Sequence, residues 1–198
     1  MNYIFTAAGE GSRFIKKGIK PPKPLIKVLG DELLIWSMRS FPFKDKDNVY
    51  IVTQSAHKCK RKIEGKLYKL FPNVNFYWLE IDYFTNGQLI TSMLALDYFK
   101  LEGNLLIHNC DTAFKMDSNA LKNLLLDLKN IYAFFPVFQA EGDNWSFAQT
   151  ELHTNRIIKI TEKETKTINR IIRKLDNFPK KLVIFSSLFI NELIIRRF

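Results

Sequence analysis

Two short segments near the amino terminus carry the residues best suited to chemistry. The first, Ala7-Ala8-Gly9-Glu10-Gly11-Ser12-Arg13-Phe14, directly follows an apolar run that begins at Tyr3. Where a strand of a parallel sheet ends in glycines, backbone N–H groups can approach a phosphate, and the next turn adds partial positive charge. Arg13 adds a guanidinium that can fork onto phosphate oxygens. The second segment is Pro22-Lys23-Pro24-Leu25-Ile26-Lys27-Val28-Leu29-Gly30. Prolines on both sides of Lys23 predict an extended backbone that aims one ammonium group. A phosphate-binding turn followed by a rigidly presented cation suits phosphoryl transfer, which needs alignment of a polyphosphate and neutralisation of its charge. Gly-x-Gly alone fits a plain tight turn equally well, and a proline-rich turn can hold a merely solvated lysine. The turn is not a P-loop, because no Gly-Lys-Ser/Thr follows, and it lacks the third glycine of a dinucleotide fingerprint.

Taken together, Gly9-x-Gly11-Ser12-Arg13-Phe14, Lys17-Gly18 and Pro22-Lys23-Pro24-Leu25-Ile26 resemble the signature of the sugar-phosphate nucleotidylyltransferases, the nucleotide-sugar pyrophosphorylases of GT-A-like Rossmann type. The resemblance runs from Met1 to about Glu164. It implies an enzyme that moves a nucleotidyl group from a nucleoside triphosphate to a small phosphomonoester, usually a sugar 1-phosphate, with release of pyrophosphate. By the same resemblance, Ala7, Ala8, Gly9, Gly11, Ser12, Arg13 and Lys23 would bind the triphosphate, and Arg13 and Lys23 would be the catalytic cations. Thr85-Asn86-Gly87-Gln88-Leu89 resembles the family's second nucleotide-contacting turn, which adds Asn86, Gly87 and Gln88. Ile107-His108-Asn109-Cys110-Asp111 resembles the strand end whose aspartate holds Mg²⁺, and an Asp just past a buried strand can supply the oxygen ligand that this ion takes. Glu141-Gly142-Asp143-Asn144-Trp145-Ser146-Phe147 and Ile160-Thr161-Glu162-Lys163 resemble the paired strands over the acceptor, with Trp145, Glu162 and Lys163 as acceptor contacts.

The elements that must position these residues read as alternating strands and helices. Strands are expected at Tyr3–Ala8, Val49–Thr53, Asn75–Ile81 and Leu105–His108. Helices are expected at Asp31–Phe41, Ser55–Leu70, Gly87–Phe99 and Ser118–Lys129. Such alternation predicts an α/β fold, a Rossmann-like mixed but mainly parallel sheet with helices on both faces. After Ile131 the rhythm changes to strand-like runs at Ala133–Gln139, Trp145–Leu152 and Arg156–Thr161, with a tight turn at Thr154-Asn155. The chain divides into a catalytic domain over residues 1–164 and a basic segment over residues 165–198. That segment is expected to pack on the same domain and includes one apolar run, Leu182–Phe185.

Composition narrows the classes. With 46% hydrophobic and 25% charged residues and 17 Phe among 198 residues, the chain can bury a substantial core, which excludes disordered and collagen-like classes. The net charge of +10 points to anionic partners. From Thr165 onward there are eight Lys and Arg against two Asp and Glu, so much of the excess lies at that end. Those cations are not interleaved with aromatics in a reader motif, which argues against nucleic acid as the main partner. Cys59 and Cys110 have no metal-ligand or disulfide spacing and fit a reducing cytoplasm. His57, His108 and His153 form no cluster, although His108 stands close to Asp111. No apolar run reaches membrane-spanning length, and the amino terminus has no positive region of the signal-peptide kind. The expected partners are therefore a nucleoside triphosphate and a phosphorylated acceptor, with no membrane and with a homo-oligomer left open. The family pattern breaks after Glu164: Thr165-Lys166-Thr167-Ile168-Asn169-Arg170 does not match its next strand, and Asp176 is not assigned the second metal role. This divergent or truncated end leaves two alternatives, a non-catalytic nucleotide-binding remnant of the same fold and cytidylyl transfer to a non-sugar phosphate. Nucleobase and acceptor are not readable; a surface-polysaccharide or capsule precursor is the leading expectation.

Overall fold

The computed structural model describes residues 1–115, 133–134, 146–151, 156–162 and 182–185. Ten strands are described: β1 (Asn2–Ala7), β2 (Lys27–Val28), β3 (Asp31–Glu32), β4 (Asn48–Gln54), β5 (Asn75–Ile81), β6 (Leu105–Asn109), β7 (Ala133–Phe134), β8 (Ser146–Thr150), β9 (Ile157–Glu162) and β10 (Leu182–Phe185). The α-helices are α1 (Ser12–Lys16), α2 (Leu33–Met38), α3 (Cys59–Leu70) and α4 (Gln88–Phe99). Six strands form one sheet in the order β5-β4-β1-β6-β10-β7, and every described pairing within it is parallel. Antiparallel pairing is confined to two small ribbons, β2 with β3 and β8 with β9. The α/β expectation holds. The apolar run Leu182–Phe185 is an inner strand, paired with β6 on one side and β7 on the other.

Period-two alternation along the buried strands sorts the core into two layers. Tyr3 and Phe5 join Val49, Ile51 and Leu106 on one face, with Leu34, Ile35 and Met38 of α2 and Ile63 and Leu67 of α3 packed over them. Ile4 joins Val52, Leu105 and Ile107 on the other face, beneath Leu89 and Ala95 of α4. β1 lies between β4 and β6, buried over its last five residues. Its carboxyl end therefore opens at the middle of one sheet edge, where parallel α/β sheets collect ligands. Among the described residues, no helix is long and apolar enough to cross a membrane.

Three local expectations are corrected. The helix expected from Asp31 to Phe41 covers only Leu33–Met38, because Asp31 and Glu32 pair back onto Lys27 and Val28. Leu29 (φ 50°) and Gly30 (φ 89°) close that hairpin; two successive positive-φ residues match the right-handed twist of paired strands. The helix expected from Ser55 is broken: a 3₁₀ turn at Ser55–His57 ends in Lys58, which is left-handed at φ 52°, and α3 starts at Cys59. The extended backbone expected around Lys23 stops at Pro22 (φ −54°, ψ 143°), and Lys23–Leu25 form one 3₁₀ turn closed by the Leu25 N–H donating to the Pro22 carbonyl at 2.8 Å. Proline is tolerated in a first helical turn because the N–H it lacks has no intrahelical partner there. The helix expected at Ser118–Lys129, the turn at Thr154-Asn155, the run beyond Phe134 and the boundary after Glu164 lie outside the described residues.

Candidate functional site

The site is built from three loops at the carboxyl ends of β1, β6 and β5, with the proline turn packed on the first of them. The glycine turn leaves β1 through Ala7 and Ala8, both buried, and reaches Gly9, which is exposed. Gly11 sits at φ 70° in the left-handed region, where a side chain is strained. Its carbonyl accepts the Phe14 N–H at 2.9 Å and so starts α1. Ser12 is half-buried and Arg13 exposed within that short helix.

The proline turn packs directly on the glycine turn. A Cβ added to Gly11 would lie 3.2 Å from Lys23 Cβ, so the glycine lets the two segments approach closely. From there the Lys23 side chain reaches the loop after β6, where Nζ lies 2.6 Å from Asp111 Oδ2 and each side chain is 23% exposed. Oδ1 of Asp111 is buried and has no hydrogen-bond partner among the described residues. Parallel pairing of β1 with β6, which puts Thr6 beside Asn109, brings both loops to one edge.

Polar side chains of α2 and the turn after it hold the Asp111 loop: the Ser37 hydroxyl donates to the Asn109 carbonyl, and Ser40 Oγ accepts the Phe114 N–H at 2.9 Å. His108 is structural. It is buried, its Nε2 lies 2.8 Å from the Thr112 carbonyl, and its ring meets Phe5, Phe41 and Phe114 edge-on. Burial pushes the neighbouring Cys110 thiol up to about 12, and that of Cys59 likewise.

The third loop precedes α4. Asn86 and Gly87 are exposed, Gly87 at φ 93° receives the Thr91 N–H at its carbonyl, and Gln88 is buried at the start of α4. Thr91 also donates its hydroxyl to the Gly87 carbonyl at 3.1 Å, so the turn is tied to the helix it opens. Gln54, unforeseen in the sequence reading, joins this loop to the glycine turn. From the end of β4 its buried side-chain amide donates to the Ala8 carbonyl at 2.9 Å and the Tyr83 carbonyl at 2.8 Å. A polar residue closing an otherwise apolar strand was the available signal.

The structure thus brings Gly11, Lys23 and Asp111 together, and Gln54 ties the glycine turn at Ala8 to Tyr83, in the loop that leads to Asn86–Gln88; Arg13 lies exposed on α1 beside the glycine turn. Glu162 ends β9, in register with Ser146 of β8. Trp145 and Lys163 lie outside the described residues. No group of three or more metal-ligating side chains occurs among the described residues. Asp111 still fits a single-carboxylate role for Mg²⁺: its unpartnered Oδ1 is a hard oxygen donor, and this ion commonly completes its shell with water and substrate phosphates.

Solved structures with the same fold are nucleotide-transferring enzymes by name. The nucleoside-diphosphate-sugar pyrophosphorylase from Vibrio cholerae RC9 matches with a TM-score of 0.65 at 22% identity, over 92% of this chain and 84% of its own. A UDP-glucose pyrophosphorylase complexed with UDP-glucose matches at 0.60 and 15% identity, over 96% of this chain and 73% of its own. The inositol-1-phosphate CTP transferase from T. maritima matches at 0.53 and 17% identity, over 85% of this chain and 66% of its own. No protein-family model and no curated protein matches the chain. At these identities the likeness is one of fold. The chain shares the α/β fold of these structures, the GT-A-like Rossmann type that the resemblance implies.

Proposed function

We propose that this chain is a nucleotidyltransferase that moves a nucleotidyl group from a nucleoside triphosphate to a sugar 1-phosphate or another small phosphomonoester. The supporting observation is the meeting of Lys23 with Asp111 beside Gly11: Nζ lies 2.6 Å from Oδ2, with Lys23 Cβ packed where a Gly11 side chain would be. A cation and a carboxylate then share the mouth of a glycine turn, the arrangement that alignment of a polyphosphate requires.

In this mechanism an acceptor phosphate oxygen attacks the α-phosphorus in line. The bond to the oxygen bridging α and β breaks, and pyrophosphate leaves with that electron pair. Backbone amides of Gly9 to Ser12 hold the triphosphate, and Arg13 binds its departing end. Lys23 neutralises charge between the α-phosphate and the acceptor phosphate as they approach. Asn86, Gly87 and Gln88 border the nucleoside, while Trp145, Glu162 and Lys163 serve the acceptor. Asp111 would hold Mg²⁺, which when bound screens the triphosphate charge.

The catalytic domain is proposed to span residues 1–164, with residues 165–198 packed on it; pairing of β10 with β6 supports the second point. The proposed setting is the cytoplasm, and the proposed use is surface-polysaccharide or capsule precursor synthesis. Pyrophosphate release from CTP, UTP, dTTP and GTP, each against a panel of sugar 1-phosphates and non-sugar phosphomonoesters, tests the reaction. Release with one matched pair is expected. Triphosphate binding with no release from any pair would instead identify a non-catalytic remnant.

A further inference from the structure

The proline turn that carries Lys23 has a second side. Pro21, Pro22 and Leu25, which flank Lys23 in the chain, line a separate cavity of about 540 Å³ against Ile63 of α3; neither Lys23 nor Asp111 lines it. Three lysines from different segments border this space: Lys20 before the turn, Lys27 on β2 and Lys62 on α3. All three are exposed, and neither Lys20 nor Lys62 pairs with a carboxylate among the described residues. One acid also borders the cavity, the buried Glu32, and it is already engaged. Lys66 Nζ lies 2.7 Å from its Oε2, and Lys27 Nζ stands 4.0 Å from Oε1. Lys66 also pairs with Asp31 at 2.8 Å, and Arg39 completes that cluster from the other side of Asp31. Asp31 and Glu32 are thus engaged by Lys66, Arg39 and Lys27, which leaves the charges of Lys20 and Lys62 uncompensated at a concave space of ordinary small-molecule size.

We propose that this cavity binds a small metabolite carrying two phosphate groups, at a site distinct from the glycine turn. Two free ammonium groups on different segments, with Lys27 beside them, around a space larger than one phosphate favour a ligand with two separated phosphate groups. The prolines, Leu25 and Ile63 give its carbon skeleton an apolar wall. The site stands independently of the catalytic assignment, since none of the residues assigned to catalysis borders it.

Methyl resonances of Leu25 and Ile63 read this cavity and can be followed without turnover. Glucose 1,6-bisphosphate is titrated at constant ionic strength without divalent metal. Both methyls are expected to shift saturably, with affinity falling about tenfold or more in the Lys20→Ala/Lys62→Ala double variant and staying within about twofold in Lys23→Ala. The double variant should fold, because both side chains are exposed, and the Lys20→Arg/Lys62→Arg variant should retain binding. Four results would overturn the assignment: no shift at about 10 mM probe, unchanged affinity in the double alanine variant, inorganic phosphate binding as tightly as the bisphosphate, or a single-stranded oligonucleotide moving the same methyls at lower concentration.

Discussion

Lys23 and Asp111 meet although three of the sheet's six strands are threaded between them in sequence. Each was legible as a candidate on its own, from the flanking prolines and from the position just past an apolar strand. Their pairing was not, because it depends on β1 lying beside β6 in a register that no local pattern encodes. Loss of one preorganised charge at a polyphosphate site typically costs two to three orders of magnitude in rate. Lys23→Ala and Asp111→Asn are each expected to lower pyrophosphate release by about 10²–10³-fold, read by a coupled pyrophosphatase assay; near-wild-type release from Lys23→Ala would remove it from the mechanism. Cys110, next to Asp111, is expected to play no chemical part. Burial raises its thiol and that of Cys59 to about 12, above the value in the unfolded chain. The resulting stabilisation is fully present below the unfolded thiol pKa and is lost as pH rises from there toward about 12. At pH 8 both thiols should resist a disulfide-exchange reagent until denaturant is added; rapid modification of the native chain would contradict their burial.

At the scale of elements, the glycine turn works because two neighbours constrain it. Gly11 combines a left-handed φ of 70° with a Cβ position 3.2 Å from Lys23 Cβ. Gly11→Ala is therefore expected to cost about 1–2 kcal/mol from backbone strain alone and to displace Lys23, lowering activity beyond the stability loss. Thermal denaturation together with the rate separates the two effects. Gln54 ties the glycine turn to the loop before α4 by two hydrogen bonds. Gln54→Ala leaves the buried Ala8 carbonyl and the partly exposed Tyr83 carbonyl without that donor and is expected to cost about 1–3 kcal/mol, with the KM for triphosphate rising more than kcat falls. Strands β1, β4, β5 and β6 and helix α4 were readable because apolar runs and turn signals bounded them. The β2–β3 hairpin was missed because Leu29, exposed and left-handed, is not a residue that announces a two-residue turn. Lys58 broke the expected helix for a similar reason: its positive φ has no signature in a lysine-rich run.

For the whole molecule, alternation of strands and helices was enough to predict a parallel sheet covered on both faces. The strand order was beyond it, including the inner place of Leu182–Phe185 in a basic segment that was expected to pack on the domain but had no assigned place in its sheet. Ile107 belongs to the layer beneath α4 and is 1% exposed. Ile107→Ala should lower unfolding free energy by about 2–5 kcal/mol without changing which triphosphate is preferred, as a core cavity would. Everything functional in this account depends on Lys23 acting on a polyphosphate held at the glycine turn. The most direct measurement is calorimetric binding of α,β-methylene nucleoside triphosphates with Mg²⁺, which removes turnover, to the wild-type chain and to Lys23→Ala. One triphosphate is expected to bind the wild type, with at least about tenfold weaker binding to the variant. Equal affinity in the two proteins, or no binding of any of the four triphosphates to the wild type, would contradict it.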